Sequence, residues 1–583
     1  MISPDQITSG DPVSTSVDQR RAVPLPDGDT PRYAAKFRLI LIAVLVISGG
    51  LYLVLMRPYS FGSYHDDGMY GVLAKSLATG QGYRVISLPS EPHQTKSPPL
   101  YPFLLSLTWR LFPTFPQNVP MLMLLSVIAS ITFLAIAWRY LVSNDYANSL
   151  QAIIVIAVAA LNWRVILLST GVYSEMIYAL LSVLALFLAE RLEREDRRVS
   201  VSIALGAVMG LAFLARSSAI ALPLAVMFYF VARRQWRRMF IPLLVCSLFI
   251  TAWVLWGYFH RPPIDSVNAG YYESYFSTLA QVFGGPNTRS LWSILSNLLG
   301  LIVSNAIGLI VVTVPVISLG LNFGTQSMPG FWFGVGLGLS AITLIFTIGG
   351  FFRFRETGLR LLHAYVAAYI VVHLAWPYAA YDRFLMPLLP WFLLFLVTET
   401  SRVFISARKN LQFSNPLSKK TIAALMGFVL LLLVGLVTYN TVMGIRMLHS
   451  SQKEKARFSA DQEAIHWLTS NASPSDVVIC YRDPTFYLYT GLKTIRSISA
   501  REGGLTQESG ESPEEQVRII PQIINESNAR YFVATATDYE QEDQAELKRE
   551  ALKVLIEENP DKFVRVFESM DGRERIYRIE HAT

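Results

Sequence analysis

Long apolar runs alternate with short charged linkers through most of the chain, and run length decides what they are. Stretches near 39–56, 119–138, 150–169, 172–189, 199–215, 217–232, 239–259, 291–320, 331–352, 359–376, 384–404 and 420–445 are nearly free of charge. A helix of roughly 20 apolar residues crosses the roughly 30 Å hydrocarbon core of a bilayer. The pattern therefore predicts a polytopic α-helical membrane protein, with 11–13 transmembrane helices over residues 38–446. Lys and Arg gather in RLEREDRR (191–198), RRQWRR (233–238), RFRETGLR (353–360) and SARKN (406–410). Positive loops mark the cytoplasmic side, as do Arg20, Arg21, Arg32, Lys36 and Arg38 ahead of the first run. Twelve crossings would leave the C-terminal region inside, so parity favours thirteen. The stretch Arg261–Gly330 is then expected to hold an extra crossing or a surface helix.

Three polar regions flank or interrupt these runs. Residues 1–37 are rich in Pro, Asp, Ser and Thr and read as a disordered cytoplasmic tail. Residues 57–118 form a first external loop. In it Met69, Val72, Leu73 and Leu77 recur at helical spacing with Gly80 as a stop, which predicts an amphipathic surface helix over 68–79. A second surface helix is expected after Lys96, with Ser97 as cap, Pro98 in the first turn, and Leu100, Phe103, Leu104, Leu107 and Leu111 as its apolar stripe. From 451 to 583 mixed charge and the runs DVVICY, ARYFVATA and KFVRVFES, with helical stretches at 461–470 and 541–557, predict a small extracytoplasmic α/β domain.

Composition agrees: 52% of residues are hydrophobic and the mean hydropathy is +0.37. The net charge of +7 is spent on topology-setting clusters and does not point to nucleic acid. Cys246 lies in an apolar run and Cys480 in a strand-like one, so no disulfide is expected.

Candidate chemistry centres on the adjacent acids Asp66 and Asp67, placed just beyond the first membrane exit. A helix start needs one capping carboxylate, and two adjacent ones repel. Either one acid is catalytic while the other caps, or both are structural. Lys96 is expected near a helix N-terminus, where an anion such as phosphate is favoured; a snorkelling lysine is the alternative. Glu175 sits at the external end of a span, where it serves the substrate or is simply solvated in a short loop. Arg383 begins a late span and suits bidentate phosphate binding, or else pairs with neighbouring Asp382. Arg216 is a weaker candidate of the same kind. Trp376, Tyr378 and Tyr381 form either a sugar-stacking wall or an interfacial aromatic belt. HExxH, CxxC, Walker and GxSxG motifs are absent.

HDDGMYGVLAKSLATGQGY, TKSPPLYPFLL, VYSEMIYALL and RFLMPLLP, in that order, resemble motifs of the GT-C glycosyltransferases. Within that superfamily the chain is similar to the dolichyl-phosphate-mannose-protein mannosyltransferase group and the lipid A aminoarabinose transferase group. The resemblance implies an inverting transfer of a sugar from a polyprenyl-phosphate donor to an extracytoplasmic lipid, glycan or protein hydroxyl, with Asp66 as the activating acid. This chain has Asp66-Asp67 where that group commonly shows Asp-Glu, and Ser97 where many members carry Tyr. No cofactor is required, although Asp66, Asp67 and Glu175 offer hard oxygen ligands to a divalent metal. The competing readings are a polysaccharide polymerase or ligase using a lipid-linked donor, and a multi-span transporter.

Overall fold

A computed structural model describes residues 31–194, 199–260, 291–319, 330–353, 358–376, 382–412, 451–497, 513–540 and 544–581, with scattered positions in 354–357 and 427–446. It is a helical bundle carrying a small mixed α/β domain at one end.

The first helix, α1 (Pro31–Leu55), begins inside the expected tail because Pro31 supplies a helix-compatible φ at a position that needs no amide donor. Then come α2 (His65–Ala78), α3 (Leu100–Leu111), α4 (Val119–Ser143), α5 (Ser149–Leu161), α6 (Trp163–Ser169), α7 (Glu175–Arg194), α8 (Val199–Ala215), α9 (Ala221–Ala232) and α10 (Phe240–Phe259). Among the described residues five helices are long and apolar enough to span a bilayer, a sixth if the α5–α6 pair, bent by 65°, is one broken span. Shorter apolar helices cover Val199–Ala215, Ser217–Ala232, Gly336–Phe352 and Leu361–Leu374. The bend between α5 and α6 falls at Asn162, whose side chain accepts from the Arg164 amide and donates to the Ile317 carbonyl. It thereby satisfies the backbone groups that a break inside a membrane would otherwise strand.

Helices α8 and α10 approach closely through Gly206 and Gly210, spaced four apart on one face. A Cβ on Gly206 would lie 2.6 Å from the Pro242 carbonyl oxygen, and one on Gly210 would lie 2.4 Å from the Phe249 ring. Small residues at this spacing substitute for the hydrophobic drive that lipid does not provide. The outer face of α10 exposes Leu244, Leu248, Leu255 and Phe259, as a lipid-facing surface does.

The bundle has two distinct ends. At one, Arg194 binds Ser143 and Asn144, Arg233 pairs with Glu193, and Arg360 binds the Asn144 and Asp145 carbonyls. At the other lie α2, α3, the start of α7, the end of α8 and the α/β domain. The described parts of the charged linkers, 191–194, 233–238 and 358–360, thus meet at one end.

Residues 57–118 depart from expectation in detail. Helix α2 starts at His65 and does not lie on an open surface: α3 covers one side and helix Asp483–Thr490 of the α/β domain the other, so Asp67, Gly68, Met69, Gly71, Val72 and Leu73 are all buried. Helix α3 starts at Leu100, not at Pro98, and Ser97 is not its cap. The Gln94 side chain instead takes the Lys96 and Ser97 amides, which holds that segment in a turn. The anticipated stripe is split, with Leu100 and Leu104 partly buried against the core. Tyr101, Leu105 and Trp109 form the buried face, while Phe103, Leu107 and Leu111 are exposed. Beside a bilayer the more apolar face turns outward and the aromatic, partly polar face packs inward, the reverse of a helix in water.

In the C-terminal domain the sheet order is β2-β1-β3-β5-β4, with β1 (Val477–Cys480), β2 (Lys493–Arg496) and β3 (Tyr531–Thr535) parallel, and β4 (Phe563–Glu568) and β5 (Glu574–Ile579) antiparallel. The three anticipated strands are β1, β3 and β4. The four-residue β2 and the charged β5, ERIYRI, carry too little apolar signal to stand out. Cys246 and Cys480 are both free and buried.

Candidate active site

Four charged residues that are far apart in sequence meet at the domain-bearing end of the bundle, each contributed by the end of a different helix. Asp66 sits in the first turn of α2, Glu175 opens α7, Arg216 follows α8, and Arg383 belongs to the short helix Asp382–Leu385. Asp66 Oδ2 lies 2.5 Å from Arg383 Nη2. Arg383 Nε is 3.8 Å from Glu175 Oε1, and the same oxygen is 2.8 Å from Arg216 Nη1. Arg216 also donates to Ser174 Oγ at 3.1 Å, which shares a 3.1 Å hydrogen bond with the Tyr70 hydroxyl. The Phe384 ring lies 5.3 Å from each guanidinium carbon, so both cations face its π-cloud.

The two acids have different environments. Burial raises the Asp66 carboxyl, but the Arg383 guanidinium outweighs it and brings the group down to about 2, so Asp66 is ionised. Its side chain is 45% exposed. Asp67 is 3% exposed and turns inward: its carboxyl accepts from the Gly62 amide at 2.9 Å and the Gly68 amide at 2.8 Å. Burial pushes it up to about 8 against the lowering effect of those amides. Neither acid is the N-cap, which is Tyr64 with no side-chain cap bond. The pair therefore divides into one half-exposed acid held by Arg383 and one bracing the loop ahead of α2.

Arg383 does not pair with Asp382. Asp382 binds Arg164, at the start of α6, which leaves Arg383 to Asp66 and Glu175. Glu175 is 1% exposed, so the solvated-loop alternative does not hold. Lys96 is half-buried in the turn ahead of α3, four residues before that helix starts, so the helix-terminus argument for anion binding there loses its basis. Trp376 takes a hydrogen bond from Asn305 on its carbonyl at 2.9 Å. Tyr378 and Tyr381 lie outside the described residues. Among the described residues no three His, Cys, Asp or Glu side chains converge as a metal ion would need. Asp66, Asp67 and Glu175 do not share a cage, being held respectively by Arg383, by backbone amides and by Arg216.

Sequence reasoning passed over Arg164, Ser174, Tyr70 and His65. Arg164 had a readable signal, a charge within an apolar run, since such charges face the protein interior. The other three gain meaning only from partners far away in the chain.

The fold of this chain is GT-C-like, similar to that of solved membrane glycosyltransferase structures. The sequence model of the dolichyl-phosphate-mannose-protein mannosyltransferase family matches residues 96–258. Among solved structures, ArnT from Cupriavidus metallidurans bound to undecaprenyl phosphate is similar with a TM-score of 0.51 at 12% identity, covering 94% of this chain and 98% of that one. The Archaeoglobus fulgidus oligosaccharyltransferase tethered with an acceptor peptide containing the NVT sequon also scores 0.51, at 13% identity, covering 93% of this chain and 74% of that one. The archaeal oligosaccharyltransferase AglB from Archaeoglobus fulgidus, in complex with an inhibitory peptide and a dolichol-phosphate, scores 0.50 at 13% identity, with 93% and 74% covered. No curated protein sequence matches the chain.

Proposed function

We propose that this protein is an inverting glycosyltransferase that moves a sugar from a polyprenyl-phosphate donor to a hydroxyl acceptor on the extracytoplasmic face of the membrane. The observation that carries the reading is the Asp66–Arg383–Glu175–Arg216 cluster at the bundle end opposite the basic linkers. Basic linkers favour the cytoplasm, which supports reading the cluster and the α/β domain as external, where a flipped lipid carrier is present and nucleotide sugars are not. Solved relatives of this fold bind undecaprenyl phosphate and dolichol-phosphate, in keeping with such a donor.

In this mechanism the acceptor oxygen attacks the anomeric carbon from the face opposite the phosphate, and Asp66 takes the hydroxyl proton. The anomeric C–O bond breaks, its electron pair stays with the carrier phosphate, and Arg383, Arg216 and Lys96 stabilise that charge. Glu175 keeps the two guanidiniums together and oriented. Tyr378, Tyr381 and Trp376 are assigned to the sugar. Asp66 held by Arg383 is a weak base. A carrier phosphate that draws the Arg383 fork toward itself loosens that ion pair and raises the basicity of Asp66 as the donor arrives.

The test incubates membranes containing the protein with a panel of radiolabelled polyprenyl-phosphate sugars and identifies the labelled product. Asp66→Asn is expected to cut transfer by about 10² to 10⁴-fold at normal expression. Wild-type turnover by that variant would remove Asp66 from the mechanism.

A further inference from the structure

Besides Arg457, which binds Ser63, the α/β domain reaches the reactive loop through the short helix Asp483–Thr490, which follows β1. Asp483 is wholly buried, and its Oδ1 lies 3.3 Å from Nε2 of His65, the residue immediately before Asp66. Its carbonyl is fixed by the Thr494 hydroxyl at 2.8 Å, so Asp483 is tied into the sheet through β2. Two residues on, the Thr485 hydroxyl donates to the Gly62 carbonyl at 3.3 Å. Gly62 in turn donates its amide to Asp67. Each acid thus has a strut into the C-terminal domain: Asp483 to His65 to Asp66, and Thr485 to Gly62 to Asp67.

The backbone is built for this seating. Gly62 has φ of +81°, and a Cβ there would lie 2.3 Å from Thr485 Oγ1. A Cβ on Gly68 would meet Thr485 Oγ1 at 3.0 Å and Pro484 Cβ at 3.2 Å. Glycine on both sides of the acid pair lets the domain helix come down directly on the start of α2. In open α/β sheets the carboxyl end of a central parallel strand, where flanking strands diverge, is the usual place for a bound ligand. Strand β1 has β2 on one side and β3 on the other, and Asp483 at its end takes His65.

We propose that Asp483 is a positioning residue for the transfer reaction: through His65 it fixes the first turn of α2 and thereby aims the Asp66 carboxylate. This rests on the reading of Asp66 as the base. The α/β domain then supplies rigidity to the reacting group without touching substrate. A carboxylate displaced by about 1 Å costs about 10²-fold in rate with little change in ground-state binding.

The experiment measures kcat and donor KM for full-length His65→Ala, Asp483→Ala, the double variant and His65→Gln, using whichever polyprenyl-phosphate sugar labels product. Binding of undecaprenyl phosphate, read by thermal shift, serves as the control. Both single variants should lose about 10 to 10²-fold in kcat with donor KM within about threefold, and the double variant should be no worse than either alone. His65→Gln, whose amide reaches the same carboxylate, should recover most of the rate. Undecaprenyl phosphate should still bind. Additive losses, a KM-only effect, or wild-type kcat in Asp483→Ala would overturn the proposal, as would failure of His65→Gln to outperform His65→Ala. If Asp66→Asn is inactive while these variants are normal, only the positioning role fails. If Asp66→Asn is itself active, the underlying reading fails.

Discussion

Replacing Arg383 tests the electrostatic core of the site, because this side chain is shared between the proposed base and the proposed phosphate site. In the resting protein it holds the Asp66 carboxyl down from 3.8 to about 2. At 1.36 kcal/mol per pH unit that corresponds to about 2 kcal/mol of net differential interaction, reduced to about 1 kcal/mol because Asp66 is 45% exposed and solvent screens the pair. Arg383→Ala should therefore cost little in stability and let the Asp66 carboxyl rise, since burial then acts without the guanidinium that outweighed it, moving the acid limb of the rate profile up. Its effect on transfer should be far larger. Removing one preorganised donor to a developing negative charge costs about 10² to 10³-fold. Arg383→Lys keeps the charge but lacks the fork that lets one side chain meet Asp66 and Glu175 together, so an intermediate loss of about tenfold is expected. Initial rates against donor concentration at several pH values, together with undecaprenyl phosphate binding, separate these effects. Unchanged donor kinetics in Arg383→Ala with only a lower melting temperature would refute the reasoning and make Arg383 a structural partner of Asp66.

Three further outcomes follow from the fold. Asp67, pushed up to about 8 by burial, keeps its proton when folded but loses it when unfolded above the ordinary carboxylate range. Its stabilising contribution is therefore complete below about pH 4 and is lost as pH rises to about 8, so the melting temperature of Asp67→Asn relative to wild type should climb across that window; a pH-independent difference would contradict the assignment. Gly206→Leu should overpack the α8–α10 contact, where even a Cβ would sit 2.6 Å from the Pro242 carbonyl, and lower stability by about 1 to 3 kcal/mol in a detergent melt. In intact cells Met570→Cys, on the exposed rim of the α/β domain, should react with a membrane-impermeant thiol reagent while Arg234→Cys, between α9 and α10, should not; the reverse labelling would place the acid cluster on the cytoplasmic side.

The legibility of this chain follows the range of the interactions. Spans, loop lengths and the change in composition near 451 depend on local hydropathy, so the polytopic bundle and the α/β domain were readable. Asp66, Glu175, Arg216 and Arg383 were each visible as charges at span ends, where the bilayer penalises them. Their meeting was not visible, because it depends on how four helices pack. Pairing preferences were equally hidden: Asp382 stands next to Arg383 in sequence, yet binds Arg164 across the bundle. The buried face of α3, Tyr101, Leu105 and Trp109, was not visible because it depends on what that helix packs against. The burial of α2 was missed because its cover, helix Asp483–Thr490, comes some four hundred residues later.

Charge bookkeeping within the site makes a final demand. Asp66 and Glu175 balance Arg216 and Arg383, and Asp382 balances Arg164, so the resting cluster carries no excess positive charge for a phosphate. The donor is a phosphodiester with one negative charge, whereas the released carrier phosphate is a monoester with about −1.5 to −2 at pH 7. Transfer therefore increases the negative charge just as the Asp66 carboxylate gains a proton and loses its own. Arg383 then becomes available to the leaving group, but one further cation is needed to match the second charge. Lys96, half-buried in the turn that the Gln94 side chain holds ahead of α3, is the residue proposed to provide it. If it does, Lys96→Ala should depress kcat more than donor affinity and weaken undecaprenyl phosphate binding more than binding of the donor, because the product bears the additional charge. Lys96→Arg should preserve most of the activity, since a point charge suffices where no fork geometry is required. Equal weakening of donor and product would show that Lys96 acts only in ground-state binding, and no effect on either would remove it from the phosphate site.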